Sequence, residues 1–120
     1  MEPFTELLAS LVDGVEGALG AAFIDNYGEA VQTYMVGGDD EYLKLMGAYQ
    51  GLALQTSRNV IKQLDAGTVD YYFTSYENVS FVVKALQQDY FILLALGPDA
   101  SIGQGIYRVQ RVADAFDREI

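Results

Sequence analysis

Residues 39–65 carry the longest unbroken helical pattern in the chain, and that run constrains what the rest can fold into. At 1.5 Å per residue it makes a rod of roughly 40 Å, whereas a domain of this length has a radius of gyration of about 14 Å. The helix therefore has to cross the whole domain. Stepping 100° per residue places Tyr42, Met46, Ala53, Val60 and Leu64 along the centre of an apolar stripe. Leu45, Tyr49 and Leu52 fall on one flank and Leu43, Leu54 and Ile61 on the other. The arc is about 200° wide, more than one sheet face covers, so the surplus needs a second apolar surface from this chain or another copy. On the remaining side lie Gly47 and Gly51, each costing about 1 kcal/mol against alanine in a helix interior. Glycines retained there indicate a close backbone approach. The same side carries Lys44, Arg58 and Lys62 within about 40° of one another. These are three of the seven basic residues in a chain of net charge −10.

That charge limits the partners. Seventeen carboxylates repel DNA, RNA and anionic membrane, so no nucleic-acid partner is expected. The 120 residues suit a single domain, 1–120, around one core. Without Cys there is no disulfide framework or thiolate metal site, and without His the commonest general base and metal ligand are missing. Met1-Glu2-Pro3-Phe4 lacks the basic and apolar regions of a signal peptide, and no apolar run approaches a membrane span. The expectation is a cytoplasmic protein without membrane insertion.

Along the chain, Phe4, Leu7, Leu8, Leu11 and Val12 repeat at helical spacing up to Gly14. Residues 17–25 are small and apolar on both alternations, which fits a central strand with helices close on both faces. Asn26-Tyr27-Gly28 supplies a turn into an alternating strand over 29–34. Asp39-Asp40-Glu41 suit the N-terminus of the long helix. After it, 68–76 and 79–86 read as a second hairpin, and 90–96 as another doubly apolar strand ended by Gly97-Pro98. Ser101 with Gln104 has the form of a capping box for a last helix whose stripe is Ile102, Ile106, Val109, Val112, Ala113 and Phe116.

Few residues suggest chemistry. The glycines of 14–20 follow a helix and precede a strand, the reverse of a phosphate-binding loop, and no Gly-Lys-Ser/Thr occurs. Asp25, Glu29, Asp39, Asp40 and Glu41 lack calcium-loop spacing and sit at turn and helix-start positions, so neither metal nor cofactor is expected. Ser57 beside Arg58 and Ser80 near Lys84 lack an orienting third group. The nine tyrosines fit an ordinary sheet and an interface equally, since Tyr joins a large apolar area to a polar tip. Lys44, Arg58 and Lys62 fit both a solvated helix back and a partner surface.

With these residues in order, the chain resembles the roadblock/LC7 domain family, which includes roadblock-type dynein light chains and bacterial MglB-like partners of small Ras-like GTPases. The likeness runs through Val15-Glu16-Gly17-Ala18, the 23–28 hairpin, Gly47-Ala48-Tyr49-Gln50-Gly51, strand 90–96 and the stretch 96–103. It implies an α+β fold of α-β-β-α-β-β-β-α topology: a five-stranded antiparallel sheet in the order 2-1-5-4-3, the long helix on one face and the terminal helices on the other. It implies a homodimer paired through the third strand and the long helix, with Gly47, Tyr49, Gly51, Tyr71 and Phe73 at the contact. An uncovered edge as aromatic as 68–76 points the same way, because pairing removes an aggregation hazard. The implied function is a non-enzymatic platform that binds and regulates a Ras-like GTPase, with Lys44, Arg58 and Lys62 facing the partner. Two alternatives stand beside it: a structural adaptor without a GTPase partner, and a small-molecule sensor, which needs an internal cavity.

Overall fold

The computed structural model describes residues 2–120; Met1, where the signal-peptide reading begins, lies outside them. The elements are α1 (Glu2–Asp13), β1 (Ala18–Ile24), β2 (Ala30–Met35), α2 (Glu41–Gln63), β3 (Tyr71–Ser75), β4 (Ser80–Ala85), β5 (Phe91–Leu96) and α3 (Ile102–Glu119), with a 3₁₀ turn over Gln87–Asp89. The five strands form one sheet in the order β2-β1-β5-β4-β3, with every neighbouring pair antiparallel. The expected fold is therefore the observed one, and the two doubly apolar strands pair at its centre, Ile24 opposite Phe91 and Phe23 opposite Ile92.

Two cores flank the sheet. On one face α1 and α3 bury Phe4, Leu8, Leu11, Val109 and Phe116 against Phe23, Val82, Ile92 and Leu94. The rings of Phe4 and Phe23 stack at 4.4 Å, and Phe116 lies 5.3 Å from Phe23. These offset and tilted arrangements add to plain area burial. On the other face α2 covers Ala22, Ile24, Phe81, Val83, Phe91 and Leu93 with Leu43 and Leu54. The radius of gyration is 13.3 Å and the longest extent 41 Å, so α2, about 35 Å long by its rise per residue, spans most of the molecule.

Local signals set the joints. Asp25 Oδ1 accepts hydrogen bonds from the amides of Tyr27 (2.9 Å) and Glu29 (3.0 Å), closing the β1–β2 turn around Gly28 at φ +83°. Ser101 Oγ accepts from the Gln104 amide at 3.2 Å and caps α3. At the start of α2 the acidic cluster behaves differently from the expectation. Asp40 is the N-cap residue but makes no side-chain cap bond; it accepts instead from Thr33 Oγ1 at 2.9 Å, fastening the helix start to β2.

The orientation of α2 departs from the sequence reading. Leu43, Gly47, Gln50 and Leu54 sit on the sheet, while the expected stripe centre does not: Val60 is 48% and Leu64 68% exposed. The physical reason is the glycine side. An alanine Cβ at position 47 would lie 2.7 Å from Ile24 Cδ1, and one at position 51 would lie 3.5 Å from Gly28 Cα. The close approach inferred for these glycines is thus made to the chain's own sheet and turn. Gly47 is buried within the single chain. The bulkier residues of the arc would hold the helix axis farther off and forfeit those contacts.

Candidate interaction surface

Because α2 rests on its glycine side, most of its apolar arc points away from the protein. Leu45 (55% exposed), Tyr49 (58%) and Leu52 (69%) follow one another at helical spacing on the outer face. Tyr42 and Val60 lie on the flank that turns toward β3, where the ring of Tyr42 comes within 6.2 Å of Phe81 in β4. Beside that flank runs β3, an edge strand with only β4 as a neighbour. Its alternation places Tyr72 and Thr74 on the α2 side and leaves Tyr71 and Phe73 exposed on the α3 side. Tyr49, Tyr71 and Phe73 therefore lie on accessible surface around one sheet edge, whereas Gly47 is buried against the sheet and Gly51 is half-buried facing Gly28.

The contact between α2 and β3 is polar and specific. The Tyr72 hydroxyl donates to Gln50 Oε1 at 2.9 Å, with the Gln50 backbone carbonyl at 3.2 Å. Burial pushes the Tyr72 hydroxyl up to about 12; Tyr76 adds to the rise and Arg58 opposes it. Gln50, one of two buried polar residues among those described, was invisible as a contact residue from sequence, because its partner lies 22 positions away. Thr74 Oγ1 is buried without a hydrogen-bond partner among the described residues.

The three cations do not form one patch. Arg58 and Lys62 are one turn apart at the C-terminal end of α2, where they line a cleft of about 600 Å³ with Val69, Leu86, Asp89 and Asp117. Lys44 lies 14 residues earlier, about 21 Å along the helix axis. Its ammonium sits 3.7 Å from carboxylate oxygens of both Asp40 and Glu41. Arg58 is not on a solvated back either: only 22% of its side chain is exposed, and its guanidinium is 3.6 Å from Asp89. Asp89, in the β4–β5 turn, had no signal in the sequence as its partner. The cleft also holds Asp70, which pairs with Lys84, and Asp117, which accepts the Gln87 amide at 3.0 Å. Its three carboxylates, Asp70, Asp89 and Asp117, outnumber its two cations, so it carries no preference for an anion.

Among the described residues, oxygens of Asp39, Asp40 and Glu41 approach within 4.8 Å of one another. Thr33, Lys44 and the Glu41 amide already engage this group, which fits a helix start. Asp25 and Glu29 are not part of it. No described helix is long and apolar enough to cross a membrane.

No protein-family model matches the chain, and the curated proteins contain no match to it. Solved structures do match. MglC from Myxococcus xanthus is 33% identical, over 98% of this chain and 99% of that one, with a TM-score of 0.71. The gliding protein MglB from Thermus thermophilus is 17% identical over 98% of this chain and 87% of that one, with a TM-score of 0.86. A roadblock/LC7 domain from Streptomyces avermitilis is 16% identical over 92% and 91%, with a TM-score of 0.81. The last two establish the shared fold. Since the likeness to MglC adds identity at one position in three along both chains, this protein belongs to the roadblock/LC7 family, among its MglB- and MglC-like members.

Proposed function

We propose that the chain is a non-enzymatic homodimeric platform that binds a small Ras-like GTPase and regulates it. The observation that carries this reading is the outward apolar face of α2 beside the unpaired aromatic edge of β3. A second copy pairing along β3 extends the sheet to ten strands and brings Tyr42, Val60 and Leu64 of the two long helices together. Such a contact must bury roughly 1,200–2,000 Å² to be stable. Tyr49, Leu45 and Leu52 then remain on the outer surface of the helix pair for a further partner. Regulation of the GTPase comes from positioning: Arg58 sits within the last turns of α2, paired with Asp89, and is not a loop residue free to reach a bound nucleotide.

The structural-adaptor reading gains from one finding. Lys44 is separated from Arg58 and Lys62 and neutralised by its own helix start, so the steering patch for an acidic GTPase is smaller than the sequence implied.

Light scattering and a binding assay test both levels. The wild type is expected at twice the 13.2 kDa chain mass, and Phe73→Asp at the chain mass, since the new carboxylate would have to be desolvated at the contact. A monomeric wild type refutes the dimer. Titration with Ras-like GTPases of the source organism, loaded with GDP or GTP, is expected to show nucleotide-dependent binding that weakens when Leu52 is changed to Asp. Binding to none of them favours the adaptor.

A further inference from the structure

Three of the seven cations are arginines of α3, and all of them, Arg108, Arg111 and Arg118, are exposed. Among the described residues none of the three forms an ion pair, although the chain carries 17 carboxylates and Lys44, Arg58 and Lys84 all have acidic partners. Two of them are nevertheless held in place by neutral groups. Arg108 Nε donates to the Gly14 carbonyl at 3.2 Å, and its guanidinium lies so close over Gly14 that a Cβ there would stand 3.0 Å from Cζ. Arg111 lies over the Tyr107 ring, 5.8 Å from its centroid. Asp114 is the carboxylate spaced one turn from both Arg111 and Arg118, and it can neutralise no more than one of them. Asp13 and Glu16 flank Gly14 in sequence without pairing to Arg108. At 100° per residue Tyr107, Arg111 and Arg118 fall within about 40° of one another, with Arg108 about 60° farther round. Beside this stripe Gly103, Ile106, Tyr107, Gln110 and Arg111 line a hollow of about 420 Å³. Gly103 offers bare backbone to it: only Ser101 Oγ, at 3.7 Å, lies within 4 Å of where its Cβ would be.

We infer that the outer face of α3 docks an acidic amphipathic helix of a partner protein, whose carboxylates meet Arg108, Arg111 and Arg118 and whose apolar side enters the hollow beside Tyr107. Positioned guanidinium groups without a carboxylate of their own are the complement of carboxylates supplied from outside. Their spacing selects the occupant. Arg108 and Arg118 stand about 15 Å apart along the helix axis, too far to converge on one phosphate, whereas acidic residues one and two turns apart on an opposing helix match such a row. Net charge of −10 does not forbid this, because at physiological salt charges act over about 8 Å. A helix lying on this face meets chiefly three arginines and Asp114. A nucleic acid or an anionic membrane extends past the face and meets the remaining carboxylates. The hollow, with Tyr107 55% exposed at its edge, supplies the apolar share of the contact. Since α3 and α2 cover opposite faces of the sheet, the surface stays open whichever partners α2 and β3 take. One helix buries little area, so binding is modest and salt-sensitive.

Fluorescence anisotropy tests this with a labelled peptide of about 20 residues, long enough to hold a helix, that carries Leu on one side and Glu on the other, and with its counterpart in which every Glu is Gln. The wild type is expected to bind the Glu peptide at least about tenfold more tightly than the Gln peptide, and less tightly as salt rises. Arg111→Gln and Arg118→Gln should each weaken binding about two- to fivefold, and the triple change with Arg108→Gln at least about tenfold. Gly103→Leu, which fills the hollow, should weaken binding while leaving its salt dependence unchanged. Each variant is checked for an unchanged melt and an unchanged mass by light scattering, so that loss of binding is not loss of fold. Equal binding of the two peptides, or a triple variant that binds as the wild type does, overturns the inference. So does tighter binding of a DNA duplex or of phosphatidylserine vesicles than of the Glu peptide. Binding should persist in Phe73→Asp whatever that change does to pairing; its loss there would place the peptide at the β3 edge and overturn the assignment to α3.

Discussion

Alanine at position 51 should stabilise the protein and alanine at position 47 should not, although both replace a glycine in the same helix. Each substitution gains about 1 kcal/mol of helix propensity. At position 51 the new Cβ meets Gly28 Cα at 3.5 Å and the Phe91 ring at 3.7 Å, ordinary contact distances. The gain survives, and the melting temperature should rise by about 2–5 °C. At position 47 the new Cβ would lie 2.7 Å from Cδ1 of Ile24, a fully buried residue. Overpacking of this kind costs about 1–3 kcal/mol, so the net effect runs from near zero to about 2 kcal/mol of destabilisation. Ile24→Val removes the clashing atom. Alone it should cost about 0.5–1.5 kcal/mol; combined with Gly47→Ala it should cost about 1 kcal/mol less than the sum, as expected for residues in contact. Urea unfolding of the four proteins of this cycle, at one low protein concentration so that association does not shift the midpoints, measures the coupling. Equal stabilisation by the two alanines, or strict additivity with Ile24→Val, would refute the placement of α2 on its glycine side.

Ser101→Ala should destabilise by about 1 kcal/mol through loss of the cap on α3, and Ser101→Asp should retain most of it; thermal unfolding of both decides. The Tyr72 hydroxyl, raised to about 12 from 10 chiefly by burial, makes stability depend on alkaline pH. Its neutral form is favoured in the folded protein, so its contribution is complete below pH 10 and is lost as pH rises through 12. Denaturation midpoints across that window should fall less steeply for Tyr72→Phe, and an unchanged slope would refute the assignment.

Much of this architecture is legible in residue order. Doubly apolar runs mark β1 and β5 as central because only strands covered on both faces dispense with polar alternation. The Asn26-Tyr27-Gly28 turn and the Ser101 cap follow from local chemistry, whereas the edge position of β3 is implied by the family resemblance. The alternation in β3 also places Tyr71 and Phe73 on one face, where the structure leaves both exposed. The rotation of α2 is a different matter. An apolar arc of about 200° is wider than a sheet face can cover, so many rotations bury similar area and periodicity cannot choose among them. Tertiary contact chose, through the fit of Gly47 to Ile24, Gly51 to Gly28 and Gln50 to Tyr72. The pairing of Arg58 with Asp89 likewise joins residues far apart in sequence. Hydrophobic pattern and turn chemistry act over a few residues and settle which elements form and in what order. Which side of α2 meets the sheet, and hence which side remains for partners, depends on distances between elements, and those exist only once the chain has packed.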